Sequence, residues 1–168
     1  MATEKPSFGW GHININVGDL DRSIAFYKQF GFEIFIPAIP YLALDRAPDE
    51  KLLPNDAADA LGIQHGTKGR ACIMQLDDGF PKLDLTEFKG LDQAAPLTNS
   101  DRGLVRICLV TEDLERDVSR LKADGVAFLS EPKAGHQELA DIAVCKDPDG
   151  TLIELLQVYL DRWQSLLS

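Results

Sequence analysis

The sequence predicts an α+β protein built as two βαβββ modules, and three observations carry that prediction. The chain repeats itself, apolar residues switch between a period of two and a helical period within each copy, and Asp- and Gly-rich turns precede the last strand of each copy. With 168 residues the chain is long enough for one domain, or for two small modules sharing a core.

The repeat emerges when GHININVGDLDRSIAFYKQFGFEIF is laid over VRICLVTEDLERDVSRLKADGVAFL with His12 on Arg106, 94 residues on. No gap is needed. Asp19 meets Asp113, Leu20 meets Leu114, Arg22 meets Arg116, Ile24 meets Val118, Lys28 meets Lys122 and Gly31 meets Gly125. Each copy opens on a strand, and in the first copy His12, Asn14 and Asn16 alternate with Ile13, Ile15 and Val17, which places them on opposite faces. A helix follows. Asp19 and Asp113 stand where an N-cap belongs, and Gly31 and Gly125 stand where a helix stops in a left-handed turn. Between these caps Leu20, Ile24, Tyr27 and Phe30, and then Leu114, Val118 and Leu121, recur at helical spacing, so each helix packs one face on a sheet.

Further strands are expected at 32–37, 70–76 and 82–88 in the first copy, and at 126–129, 140–145 and 151–158 in the second. The turns DDGF and DPDG precede the last of each set, as Asp, Pro and Gly clusters do in hairpins. The first module thus spans about 8–89 and the second about 103–158, joined by a polar linker at 90–102. An insertion at 40–68 carries Pro40, Pro48 and Pro54 with a helical candidate at 55–61, and connections of such length usually serve as lids or mobile loops. The apolar tail at 159–168 reads as a closing helix.

Composition narrows the partners. Seventeen basic against 27 acidic residues give a net charge of -10, which repels nucleic acid and anionic headgroups. No run suits a membrane span and the first ten residues lack a signal-peptide core, so a cytoplasmic location is the default. Cys72, Cys108 and Cys145 each lie in a hydrophobic run and read as buried, reduced thiols.

The repeat also aligns PKLDLTEF with TLIELLQV, so that Asp84 matches Glu154 as His12 matches Arg106. Leu83 and Leu85, like Ile153 and Leu155, then face the helices, and the carboxylates face the other way. The double βαβββ pattern, with VGDLDRSIAFY and the closing DPDGTLIEL, resembles the vicinal oxygen chelate superfamily of glyoxalases, bleomycin-resistance proteins and extradiol dioxygenases. This resemblance implies an eight-stranded curved mixed sheet around a cleft with the helices outside. It also implies a homodimer and a small organic ligand bearing oxygen, turned over by a lyase or isomerase. In the family's metal-dependent members the ligands lie on the first and last strands of each module. By motif position they fall on His12, Asp84 and Glu154, and the fourth falls on Arg106.

Arg106 is a departure, because a guanidinium stays protonated and offers only donors. Two readings follow. In one, His12, Asp84 and Glu154 hold a divalent metal (Ni, Zn, Mn or Fe) and Arg106 binds an anionic group of the substrate. In the other, Arg106 bridges the carboxylates in the cation's place, no metal binds, and the cleft is a binding pocket or a site with His12 as general base. The permanent charge of Arg106 favours the second. His12 and Glu154 are the catalytic candidates in either reading, with Asn14, Thr86 and Arg106 as substrate-binding groups. A sequestering protein for a hydrophobic or planar molecule is the alternative to an enzyme. A typical extradiol dioxygenase fits less well, because its iron needs a second histidine. His65 and His136 lie in loop-like segments and read as solvated, while Trp10, Phe35, Tyr41, Phe80 and Phe128 are candidate aromatic walls.

Overall fold

Residues 7–163 are described by the computed structural model. The chain divides into two units, Met1–Gln93 and Ala94–Ser168. In the first unit the order is β1 (His12–Asn16), α1 (Leu20–Lys28), β2 (Glu33–Ile36), β3 (Ala38–Ile39), β4 (Leu44–Asp45), β5 (Lys51–Leu52), α2 (Asn55–Leu61), β6 (Lys68–Gln75) and β7 (Lys82–Lys89). The sheet runs β1-β7-β6-β2, with β5 also on the β6 edge. Strand β1 is parallel to β7, and the other pairs are antiparallel.

Helix α1 starts where the Arg22 amide donates to Asp19 Oδ1 at 2.9 Å, and it stops at Gly31, whose φ of +91° suits a residue without a Cβ. Its buried Leu20, Ile24 and Tyr27 cover one face of the sheet, above Cys72, Met74, Leu83 and Leu85. At β6 the opposite face is covered by the insertion. Ile39, Leu42, Leu44, Leu53, Ala57 and Ala58 form one buried cluster with Ala71 and Ile73 of β6. A long connection expected to be a lid or mobile loop is therefore a packed layer in its own right. Its helix α2 coincides with the 55–61 candidate.

Arg70 locks that layer in place. This buried side chain donates from Nε to the Ala47 carbonyl at 2.8 Å and from Nη2 to the Arg46 carbonyl at 3.0 Å and Asp21 Oδ2 at 2.7 Å. Its Nη1 reaches Glu87 Oε2 at 3.4 Å, and the same oxygen accepts from the Leu20 amide at 2.8 Å, at the first turn of α1.

The second unit contains β8 (Arg106–Val110), α3 (Leu114–Ala123), β9 (Ala127–Phe128), β10 (Lys133–Ala134), β11 (Ala140–Lys146) and β12 (Leu152–Val158). Its sheet runs β8-β12-β11-β10, with β9 also on β11. Each sheet thus holds five strands: four in the βαβββ places and one short addition, β5 or β10. Helix α3 repeats the logic of α1, with Asp113 Oδ1 accepting from the Arg116 amide at 3.0 Å. Here Gln157 Oε1 takes the Leu114 amide at 2.9 Å, in the place of Glu87. Asp147 Oδ1 accepts from the Asp149 and Thr151 amides, closing the DPDG turn.

Two expectations need adjustment. Cys108 is exposed, while Cys72 and Cys145 are buried, because Cys108 lies on the β8 face that α3 does not cover. Where a closing helix was expected, Leu160–Trp163 form a single 3-10 turn, and residues 164–168 lie outside the described residues. Among the described residues no helix is long and apolar enough to cross a membrane.

Candidate functional site

In the first unit the parallel register sets Asn14 opposite Asp84 and Asn16 opposite Thr86, so the polar residues of β1 and β7 share the face away from α1. Asp84 is buried there. Its Oδ1 accepts from the Thr86 hydroxyl at 2.7 Å, and Asn14 Nδ2 stands 3.5 Å from the same hydroxyl oxygen. Its Oδ2 lies 3.7 Å from His12 Nε2 on a ring that is 41% exposed, which is ion-pair range but longer than a hydrogen bond. Burial pushes the Asp84 carboxyl above the usual carboxylate range, opposed by the Thr86 hydrogen bond, the His12 charge and Asn14. Four residues marked in the sequence thus form one chain: His12, Asp84, Thr86 and Asn14.

Beside them stands Lys82, opposite His12 in the register and buried, its Nζ donating to Gln75 Oε1 and the Asp77 carbonyl, both at 2.9 Å. The ammonium also lies 4.8 Å and 4.9 Å from the ring centres of Phe35 and Phe80. Two of the candidate aromatic walls therefore pack around a cation and keep much of their surface exposed.

In the second unit the Arg106 Nε donates to Glu154 Oε2, and Nη1 donates to Asn99 Oδ1 at 3.1 Å. Arg106 and Glu154, matched by the repeat to His12 and Asp84, are an ion pair. The register sets Glu154 opposite Cys108 and Leu156 opposite Val110, so the places of Asn14, Asn16 and Thr86 are taken by Cys108, Val110 and Leu156. On β8 and β12 this face is apolar apart from one ion pair. Partial burial of the sulfur and the Glu154 charge push the Cys108 thiol up, against the pull of Arg106.

The second-unit donor set does not fit a divalent cation. In the second unit the ligand position holds a guanidinium, and the one carboxylate there is already hydrogen-bonded to it. Among the described residues no three His, Cys, Asp or Glu side chains stand close enough to share an ion. His65 and His136 are exposed, with His65 Nε2 2.7 Å from Asp59 Oδ1.

Several contacts escaped the sequence reading. Asn99 comes from the linker and Tyr41, whose phenol feels the Asp84 charge, comes from the insertion, and neither segment has a counterpart in the other copy. Glu87 and Gln157 were within reach, since the alignment that pairs Asp84 with Glu154 pairs them too.

The sequence model of the Glyoxalase/Bleomycin resistance protein/Dioxygenase superfamily matches residues 9–155. A lactoylglutathione lyase of Schizosaccharomyces pombe is 27% identical over 157 residues, which are 92% of this chain and 49% of that protein. The chain thus spans about half the length of this curated relative. Among solved structures, a glyoxalase family protein from Bacillus cereus superposes with a TM-score of 0.72 at 19% identity, covering 94% of this chain and 98% of the other. Glyoxalase I of Leishmania major, described as trypanothione-dependent, gives 0.61 at 22% identity over 96% and 94% of the two chains. Glyoxalase I of Zea mays gives 0.60 at 23% identity over 87% and 43%.

Proposed function

Because the chain belongs to the Glyoxalase/Bleomycin resistance protein/Dioxygenase superfamily, we propose that it binds a small oxygen-bearing organic molecule and acts on it as a lyase or isomerase of the glyoxalase type. The observation that carries this reading is the His12, Asp84, Thr86 and Asn14 chain on one sheet face. A neutral His12 takes a proton from the hydroxyl-bearing carbon next to a substrate carbonyl, leaving an imidazolium and an enediolate; the hydroxyl proton passes to the former carbonyl oxygen, and His12 returns its proton to the former carbonyl carbon. Nε2 faces Asp84, so Nδ1 is the nitrogen turned to substrate, and the Asp84 charge stabilises the imidazolium as it forms. Thr86, named from the sequence as a substrate-binding group, is buried and spends its hydroxyl proton on Asp84, whereas the exposed Asn14 offers a donor to substrate oxygens. In the second unit Arg106, held by Glu154 and Asn99, is the candidate group for an anion. On this reading Arg106 takes the cation's electrostatic role, and no step of this reaction runs through a metal.

Solvent deuterium tests this directly. Incubated in D2O with dihydroxyacetone or with the hemithioacetal of methylglyoxal and glutathione, the protein is expected to label the carbon next to the carbonyl. His12→Ala is expected to lower that rate at least about a hundredfold. Binding without labelling would favour the second reading, a sequestering protein, which the capture of Arg106 by Glu154 supports. The absence of both would overturn the proposal. We further expect a cytoplasmic homodimer, with a mass by light scattering of twice the 18.5 kDa chain.

A further inference from the structure

Tyr41 occupies an unusual position for a large aromatic. It is the middle residue of the 3-10 turn Pro40–Leu42, between Ile39 and Leu42, which are buried, yet it is itself 62% exposed. Its neighbours are not free to move. Ile39, Leu42 and Leu44 belong to the cluster built on Ala71 and Ile73, and the antiparallel register sets Ala71 opposite Thr86 and Ile73 opposite Asp84. Residues directly opposite share a face, so the turn is stapled to the sheet face that carries Asp84, Thr86 and His12. Ala43 closes the turn with a φ of 53° and an amide donating to the Pro40 carbonyl at 3.0 Å. Three and four residues on, the Arg70 guanidinium holds the Arg46 and Ala47 carbonyls. The segment is held on both sides of a side chain that is itself mostly exposed.

The phenol of Tyr41 is correspondingly unspent. Tyr159 donates its hydroxyl to Asp141 at 2.7 Å and Tyr27 is wholly buried, whereas no hydrogen bond of the Tyr41 hydroxyl is found among the described residues. Its proton is held more firmly than in a free phenol, through burial and the nearby Asp84 charge. A phenol that stays protonated is a hydrogen-bond donor across the neutral range.

We propose that Tyr41 is a ligand-contacting residue of the His12–Asp84 face, donating from its hydroxyl to a carbonyl or enolate oxygen of the bound molecule. The insertion then sets ligand choice by holding this one donor. The inference rests on the proposed small-molecule site and adds to it a residue whose repeat counterpart does not exist.

The test uses the full chain, labelled with ¹⁵N and ¹³C, titrated with dihydroxyacetone and with the hemithioacetal while the His12 and Asp84 resonances are followed. Tyr41→Phe keeps the ring and removes only the hydroxyl, and its unperturbed spectrum without ligand serves as the control for folding. Wild-type binding that weakens about three- to tenfold in Tyr41→Phe, and further in Tyr41→Ala, is the expected result. Equal binding by wild-type and Tyr41→Phe would overturn the role of Tyr41 and leave the site standing. If neither compound moves the His12 or Asp84 resonances of the wild type, both the site and the role of Tyr41 fall.

Discussion

Asp84 is the residue on which the first-unit site turns, and its burial gives it a pH signature. A carboxyl raised above its unfolded value contributes stability that is complete below the ordinary carboxylate range and is lost as pH rises through the raised value. Asp84→Asn keeps an acceptor for the Thr86 hydroxyl and has no charge to bury. Its melting temperature relative to wild type is therefore expected to rise between pH 4 and pH 7, and a difference that does not change with pH would contradict the assignment. The variant isolates Asp84 from Asp19, Asp45, Asp101 and Asp117, whose lowered values act in the opposite sense. The cysteines give a second prediction. Burial pushes Cys72 and Cys145 up to about 12, so at neutral pH a thiol reagent should modify only Cys108 in the folded protein, and Cys108→Ala should abolish the reaction. At this scale the sequence was informative wherever the repeat supplied a second copy. His12 and Asp84 were found through Arg106 and Glu154. Tyr41 was named only as an aromatic wall, and its charge contact with Asp84, like the hydrogen bond of Asn99 to Arg106, was not found, because a contact made by a loop without a counterpart leaves no periodic trace.

The elements show the same division. Both main helices were legible from cap to cap, because an Asp at the N-cap, helical apolar spacing and a Gly at the stop are local signals. The insertion was legible as a helix candidate and illegible as a layer, since the contact of Leu42 and Leu44 with Ala71 and Ile73 joins segments that local patterning cannot relate. Cys108 was misplaced for a related reason. RICLV is apolar enough for a strand buried on both sides, and only the pairing shows which side α3 covers. The clamp at Arg70 carries the prediction at this scale. Removing the guanidinium in Arg70→Ala frees two carbonyls of the insertion and leaves Glu87 without that partner, so chemical denaturation should show a loss of about 3 kcal/mol. Arg70→Lys cannot make the same fork of bonds and should recover only part of the loss. A loss within about 0.5 kcal/mol in Arg70→Ala would show that the apolar cluster alone holds the layer.

For the molecule as a whole, the repeat predicted the fold, and the sequence model matched over residues 9–155 shows the family. Two copies of βαβββ are recorded in the caps, in the parallel pairing of the first and last strands of each unit, and in the paired roles of Glu87 and Gln157 at the helix starts. The copies differ on the strand faces that carry the candidate residues. One face carries His12, Asn14, Asp84 and Thr86, and its counterpart carries Arg106, Cys108, Glu154 and Leu156. The central claim is that the Arg106–Glu154 pair has replaced a metal-ligand position with a fixed cation. Metal analysis of the protein purified without a His tag, then equilibrated with Ni, Zn, Mn or Fe, measures this most directly when wild type is compared with Arg106→His. The account predicts no stoichiometric metal in the wild type and a gain of affinity in Arg106→His. Wild-type protein that holds one equivalent of metal and loses it in His12→Ala and Glu154→Ala would contradict it.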